Sequence, residues 1–233
     1  MIDDNFINKW IIEYKKAFRE HAYDYMALCL GNCYIRLDDY EMSRGWFIES
    51  CKNMFREKSS WKISGSPNYL VDVWVMSNIS GFETKIKSEL DSFQKDPYGG
   101  NSPIANYAYC IWKLISSEDT LEEKDYSSLL KLGDRHKYGF YLGRSLKSIS
   151  TQNNSLFLES LRDLLKAHER SAKHGKLRET PEGLICLSAM TLGLIASKRG
   201  MTSNIECEYF SMGYLKFLLQ QRKSYLHNKT EAS

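Results

Sequence analysis

Three groupings in this chain combine residue types and spacing that could do chemistry. Arg162 and His168 lie six positions apart on one helical run. Brought together, a guanidinium and an imidazole can stabilise a phosphorane and move a proton, the two requirements of RNA cleavage. The competing reading is structural: His168 continues the apolar stripe of Phe157, Leu161 and Leu165, which makes it a packed histidine beside a solvated arginine. Cys29 and Cys33 form the second grouping, two thiols one helical turn apart, with His168 and His174 as a looser pair elsewhere. Zinc asks for about four converging ligands in tight local pairs. The chain has no CxxC or HExxH motif, so no metal is expected. The third is the acidic run from Glu118 to Asp125, in which Glu118, Asp119, Glu122, Glu123 and Asp125 face only Lys124. It reads either as a solvated loop leading into a helix or as a docking patch for a basic partner, where complementary charge speeds association. Asp38, Asp39 and Glu41 make a second, smaller acidic corner.

Other catalytic frameworks are missing from the sequence: there is no GxSxG elbow, P-loop or GxGxxG. The scattered glycines fall within helical patterns, where they serve close packing. The expectation is a protein without enzymatic activity and without a cofactor.

The elements that must position these groups are all helical. Phe157, Leu158, Leu161, Leu164, Leu165 and His168 recur at three- and four-residue spacing, opposite a face of Glu159, Arg162, Asp163, Lys166, Glu169 and Arg170. After a polar turn comes a helix expected over 181–199. Thr180 is its cap, Pro181 its first residue, Glu182 sits in its first turn, and Lys198, Arg199 and Gly200 end it. No residue between Gly183 and Ser197 is charged. A stretch that short does not span a bilayer, which takes roughly 20 residues, so it is the central helix of a water-bathed domain.

Amphipathic patterns place further helices at about 5–20, 22–37 and 40–58, the last capped by Asp39. Ser66-Pro67 and Ser102-Pro103 repeat the capping-hydroxyl-then-proline grammar of a helix start, at about 67–79 and 103–117. The stretch YLVDVWVM has strand-like valines, but no second such run exists to pair with it, so it is read as helix. Helices at about 82–95, up to Leu132, at 134–149 and from Met212 to Leu226 complete the set. The fold class is therefore all-α: an array of about eleven antiparallel helices with tetratricopeptide-like hairpin packing around the 181–199 helix. The window from Ala27 to Ser50 resembles one tetratricopeptide unit through Leu30-Gly31, Tyr34, Tyr40, Ser43, Phe47 and Ser50, with no second copy. The 233 residues make one domain, and any sub-division falls at the 96–102 loop.

Composition narrows the class. Apolar residues make up 42 % and charged residues 26 %, as in ordinary globular proteins. A dispersed net charge of +3 argues against nucleic-acid or membrane partners. The N-terminus, MIDDNFINKW, lacks the apolar run of a signal peptide. The six cysteines fit a reduced, cytoplasmic protein in which most are buried.

In the C-terminal half, His168-Glu169-Arg170 precedes Pro181-Glu182-Gly183-Leu184, Leu187 through Ala196 and Lys198-Arg199-Gly200, with Leu132-Gly133-Asp134 upstream. Through these residues this half resembles the immunity protein 49 family of bacterial polymorphic-toxin systems. Where the family's helix is commonly more aliphatic, this chain carries Cys186, Ser188 and Thr191. The resemblance implies a cytosolic antitoxin that binds one cognate toxin domain and blocks it. Its contact residues, assigned on charge, are Glu118, Asp119, Glu122, Glu123, Asp125, Asp38, Asp39 and Glu41. Two alternatives come from other classes. One is a tetratricopeptide-like adaptor or chaperone that binds peptides. The other is a HEPN-like ribonuclease, since Arg162 and His168 match the R-x(4–6)-H spacing of that all-helical family.

Overall fold

The uncharged segment 183–197 holds a helix buried along its length, but that helix begins later than the pattern predicts. In the computed structural model, which describes residues 2–55, 67–94, 103–116 and 120–230, eleven α-helices follow one another. They are α1 (Asp4–His21), α2 (Asp24–Arg36), α3 (Tyr40–Met54), α4 (Pro67–Ser77), α5 (Glu83–Gln94) and α6 (Pro103–Ser116), then α7 (Glu123–Leu130), α8 (Lys137–Ser150), α9 (Asn154–His174), α10 (Leu187–Lys198) and α11 (Met212–Thr230). Single 3-10 turns cover Gly133–His136 and Pro181–Gly183. No β-strand occurs among the described residues, and YLVDVWVM lies within α4. The proposed 96–102 boundary lies outside the described residues.

Local chemistry sets most of the helix ends. Asp3 accepts from the Phe6 amide at 2.8 Å to start α1, Asp39 from Met42 at 3.2 Å to start α3, and Asn153 from Leu156 at 3.0 Å to start α9. Pro67 and Pro103 are the first residues of α4 and α6, where a missing amide hydrogen costs nothing. Ala22, with φ of 50°, ends α1 in the left-handed conformation, so α2 begins two residues later than expected.

Successive helices pack on one another from α1 to α4 and again from α6 to α9, with α4 also against α5 and α6. The α2–α3 contact is close because Gly31 has no side chain: a Cβ there would lie 2.8 Å from the Phe47 ring. Ser43 fixes the same contact by donating to the Gly31 carbonyl at 3.0 Å, and Ser50 donates to the Asp24 carbonyl at 2.8 Å.

Helix α10 packs on α4, α8, α9 and α11, and every residue from Leu187 to Ala196 is buried. A helix covered on all sides needs no polar face, and this one has none. The expected 181–199 helix is nevertheless corrected. Residues 181–183 form a 3-10 turn, and the Cys186 amide donates at 2.9 Å to Tyr209 instead of continuing an α-helical ladder. Thr180 makes no cap; its hydroxyl donates to the Leu177 carbonyl at 3.0 Å. Gly183 explains part of the break, since its backbone lies so close to the Leu177 carbonyl oxygen that any Cβ would collide with it.

Candidate functional site

The break before α10 makes the turn Pro181–Gly183 a junction between the two ends of the chain, touching both α2 and α9. Three side chains hold it. Asn32 of α2 donates to the Pro181 carbonyl at 3.3 Å, Tyr25 of α2 donates its hydroxyl to Glu182, and His168 of α9 bonds the Gly183 carbonyl through Nε2 at 3.2 Å. Surfaces with different chemistry lie on its two sides.

On the Gly183 side is a cleft of about 440 Å³. Ile2, Ala172, Leu177, Leu184 and Tyr209 give it apolar walls, and charged pairs make its rim. Arg36 is held by the Glu208 carboxylate at 3.5 Å and by the Glu208 carbonyl at 3.1 Å. Lys173 meets Glu169 at 2.6 Å, and Arg178 meets Glu179 at 3.3 Å. His168 lies behind this wall, 5 % exposed, its ring edge-on to Tyr209. Burial lowers its pKa, so the imidazole is kept neutral.

On the Glu182 side, the Tyr25 hydroxyl of α2 donates to the carboxylate. Burial, helped by the hydrogen bond to Glu182, holds the Tyr25 phenol far above its usual range. Burial does the same to Tyr14, and pushes Tyr69 up to about 12 with Glu182 as the next cause. One Glu182 oxygen takes the Tyr25 hydroxyl; the other is buried and accepts no hydrogen bond among the described residues.

Deeper in the core, Asp72 is fully buried and accepts from Tyr107 of α6 at 2.9 Å and from Ser188 of α10 at 2.6 Å. Burial raises its pKa to about 6, against the opposing pull of the Ser188, Thr191 and Tyr107 hydroxyls. Ser188 and Thr191, the departures from an aliphatic helix, therefore face the one charge inside YLVDVWVM. The group joins α4, α6 and α10 by polar bonds.

The residues assigned from charge have mixed positions. Glu118 and Asp119 lie outside the described residues. Glu122 and Asp125 form a reciprocal capping box at the start of α7, with the Glu122 amide donating to Asp125 at 2.8 Å. Asp125 also binds Lys113 at 3.0 Å and is only 12 % exposed at its side chain. Glu123 is exposed. Asp38 accepts from the Tyr40 hydroxyl at 2.6 Å, Asp39 caps α3, and Glu41 accepts from Gln221 at 3.3 Å. Helix α7 packs on α6 and α8 while α3 packs on α2 and α4, so the acidic corners belong to different helix groups.

Arg162 and His168 are not brought together. Arg162 is exposed, and His168 is buried against Gly183. Cys29 and Cys33 are both buried, as are Cys51, Cys110 and Cys186; Cys207 is half-buried, and all six are free. No three of the described His, Cys, Asp and Glu residues gather as metal ligands. No described helix is long and apolar enough to cross a membrane.

Sequence reasoning read Glu182 only as a first-turn acid and made no use of Tyr25. The available signal was Glu182-Gly183 directly after proline, a poor opening for a long helix. No family model matches the chain, and neither a curated protein nor a solved structure matches it.

Proposed function

We propose that this chain is a cytoplasmic immunity protein, which binds a cognate bacterial toxin domain and neutralises it by occupying its surface, without turnover of its own. The observation that carries the reading is the junction at Pro181–Gly183, where side chains from both ends of the chain hold a walled cleft in place. A cleft with apolar walls and a rim of already paired charges suits the anchor side chain of a protein partner, because binding then orders little that was mobile. The exposed acids of the α7 start and of the α2–α3 corner add a field that attracts a basic partner. The resemblance to the immunity protein 49 family points the same way and supplies the toxin as the partner. The test is co-expression with the toxin domain encoded beside this chain. Survival of the host and a stable complex are the expected result; growth arrest despite a folded chain would sink the reading.

A second reading has one observation in its favour. The Gly31–Phe47 contact and the serine bonds that knit α2 to α3 fit an antiparallel, tetratricopeptide-like pair, and with it a peptide-binding adaptor. Capture of many unrelated short peptides, with no single tight partner, would favour it. The ribonuclease reading has less support, since His168 is withdrawn from Arg162.

A further inference from the structure

We propose that the cleft beside Gly183 receives the C-terminal residue of the protein partner, with an apolar side chain against its walls and the terminal carboxylate on Arg36. Segments far apart in the chain form those walls. Ile2 precedes α1, Ala172 belongs to α9 and Leu177 to the turn after it, Leu184 precedes α10, and Tyr209 precedes α11. Backbone bonds hold them in place. The Leu177 amide donates to the Ser171 carbonyl at 3.2 Å, and the Tyr209 carbonyl accepts from the Cys186 amide at 2.9 Å. At about 440 Å³ the space falls within the roughly 300–1,000 Å³ of ordinary ligand pockets, room for an apolar side chain and its own main chain.

The rim sets the charge of the occupant. Arg36, Lys173 and Arg178 line the cleft against the carboxylates of Glu179 and Glu208, while Glu169, which pairs with Lys173, is not among the lining residues. Cations therefore prevail at the mouth, and complementarity calls for an anion. Arg36 is the cation best placed to take it. Glu208 holds the guanidinium from one side, through its carbonyl at 3.1 Å and its carboxylate at 3.5 Å, and the Arg36 side chain is still 25 % exposed. It has no other acceptor among the described residues, so most of its N–H donors are open. A guanidinium already fixed in place, with donors to spare, presents the planar fork that binds a carboxylate through two parallel hydrogen bonds. An interior aspartate or glutamate would bring its carboxylate on a short methylene stem, too little to cover the apolar walls. A chain end carries a carboxylate and a full-sized apolar side chain on the same residue.

The inference rests on the binding reading for the protein nature of the occupant, and its test needs no toxin. The full chain, carrying 13C-labelled methyl groups, is titrated with N-acetyl-phenylalanine, with its neutral amide, and with N-acetyl-glycine. N-acetyl-phenylalanine should shift the methyl signals of Ile2, Leu177 and Leu184 with saturation. The amide lacks the charge and N-acetyl-glycine lacks the ring. Each should bind about tenfold more weakly, the size of one charge-assisted hydrogen bond or one buried apolar side chain. Arg36→Gln should abolish the preference for acid over amide and leave the affinity for the amide unchanged, a split that a distorted cleft would not give. Arg36→Lys keeps the charge and loses the fork. It should lower the preference, and it decides the matter where the glutamine variant does not fold. No saturable response, or equal affinity for acid and amide, would overturn the proposal. So would an undiminished preference in whichever Arg36 variants fold. Tighter binding of N-acetyl-aspartate methylamide than of N-acetyl-phenylalanine would assign the cleft to an interior acid. Tighter binding of 3-phenylpropionate than of a short peptide ending in phenylalanine would assign it to a small organic acid, and either result overturns the proposal. Failure to neutralise a toxin while N-acetyl-phenylalanine still binds would count against the functional reading alone.

Discussion

His168 Nε2 lies 3.2 Å from the carbonyl oxygen of Gly183, and that bond defines both the tautomer of the ring and its role. A carbonyl only accepts, so Nε2 carries the hydrogen, and the ring pins the Pro181–Gly183 turn to α9. Its pKa is lowered by burial, so the folded chain binds fewer protons here than the unfolded chain does just below the free value of about 6.5. This contribution is fully present above that pH and is lost as pH falls through it. His168→Gln, which can still donate to Gly183, should remove that loss. The check is the difference between variant and parent unfolding free energies from pH 7.5 to 5; a difference that does not grow in favour of the variant toward acid would refute the assignment.

Asp72 has the opposite sign. Its carboxyl is raised to about 6, well above the unfolded value of about 3.9, so the folded chain binds the extra proton between those limits. Stability from this group rises as pH falls through about 6 and levels off below about 4, an effect on the order of 3 kcal/mol. Asp72→Asn keeps an oxygen for Tyr107 and Ser188 and has no charge to bury. It should therefore gain on the parent at pH 7 and lose that advantage toward pH 4, in denaturant titrations at the two pH values. Asp72→Ala strands both hydroxyls and should cost about 2–4 kcal/mol throughout. An Asn-minus-parent difference that stays the same at both pH values would show that Asp72 does not titrate in this range.

Much of this fold was legible because helix signals are local. Asp39, Asn153, Pro67 and Pro103 mark helix starts through contacts within about four residues, and the stripe from Phe157 to His168 predicts its own burial. The start of α10 was not legible, because the Cys186 amide is taken by the Tyr209 carbonyl, 23 positions away. The Tyr25–Glu182 bond was hidden for the same reason: its partners are 157 positions apart. Periodicity registers which face a residue occupies, and it carries no information on which distant face it meets. The acids between Glu122 and Asp125 show the limit of composition from the other side: it groups them as one run, whereas Asp125 is turned into a capping box and Glu123 is exposed.

Gly31 is predicted to be the least replaceable position of the α2–α3 contact. Alanine suits a helix interior, so the backbone would gain slightly from Gly31→Ala. Its Cβ, however, would stand 2.8 Å from a fully buried Phe47 ring that has no room to retreat. Overpacking of this kind costs about 1–3 kcal/mol, which corresponds to a fall in Tm of roughly 2–10 °C for a chain of this size. Adding Phe47→Leu should recover part of the loss by opening space for the methyl group. A single variant that melts at or above the parent temperature would show that the two helices are free to separate.

The acid-rich start of α7 places an inward, helix-capping carboxylate and an exposed one within four residues. Asp125 caps the helix, bonds the Glu122 amide and pairs with Lys113, whereas Glu123 is exposed at the same end. Asp125→Asn should therefore cost about 1 kcal/mol of stability, the usual worth of a cap. Its effect on partner association should be small, because a carboxylate turned into the protein contributes little to the outer field. Glu123→Lys should do the reverse. It changes the exposed charge by two units, leaving the melt within about 0.5 kcal/mol of the parent. It should also slow association with a basic partner several-fold at low salt, an effect that fades as salt screens the field. The measurement is the association rate at two ionic strengths alongside thermal melts of both variants. If Glu123→Lys binds at the parent rate at low salt, the α7 corner plays no part in recognition, and the cleft must carry binding alone.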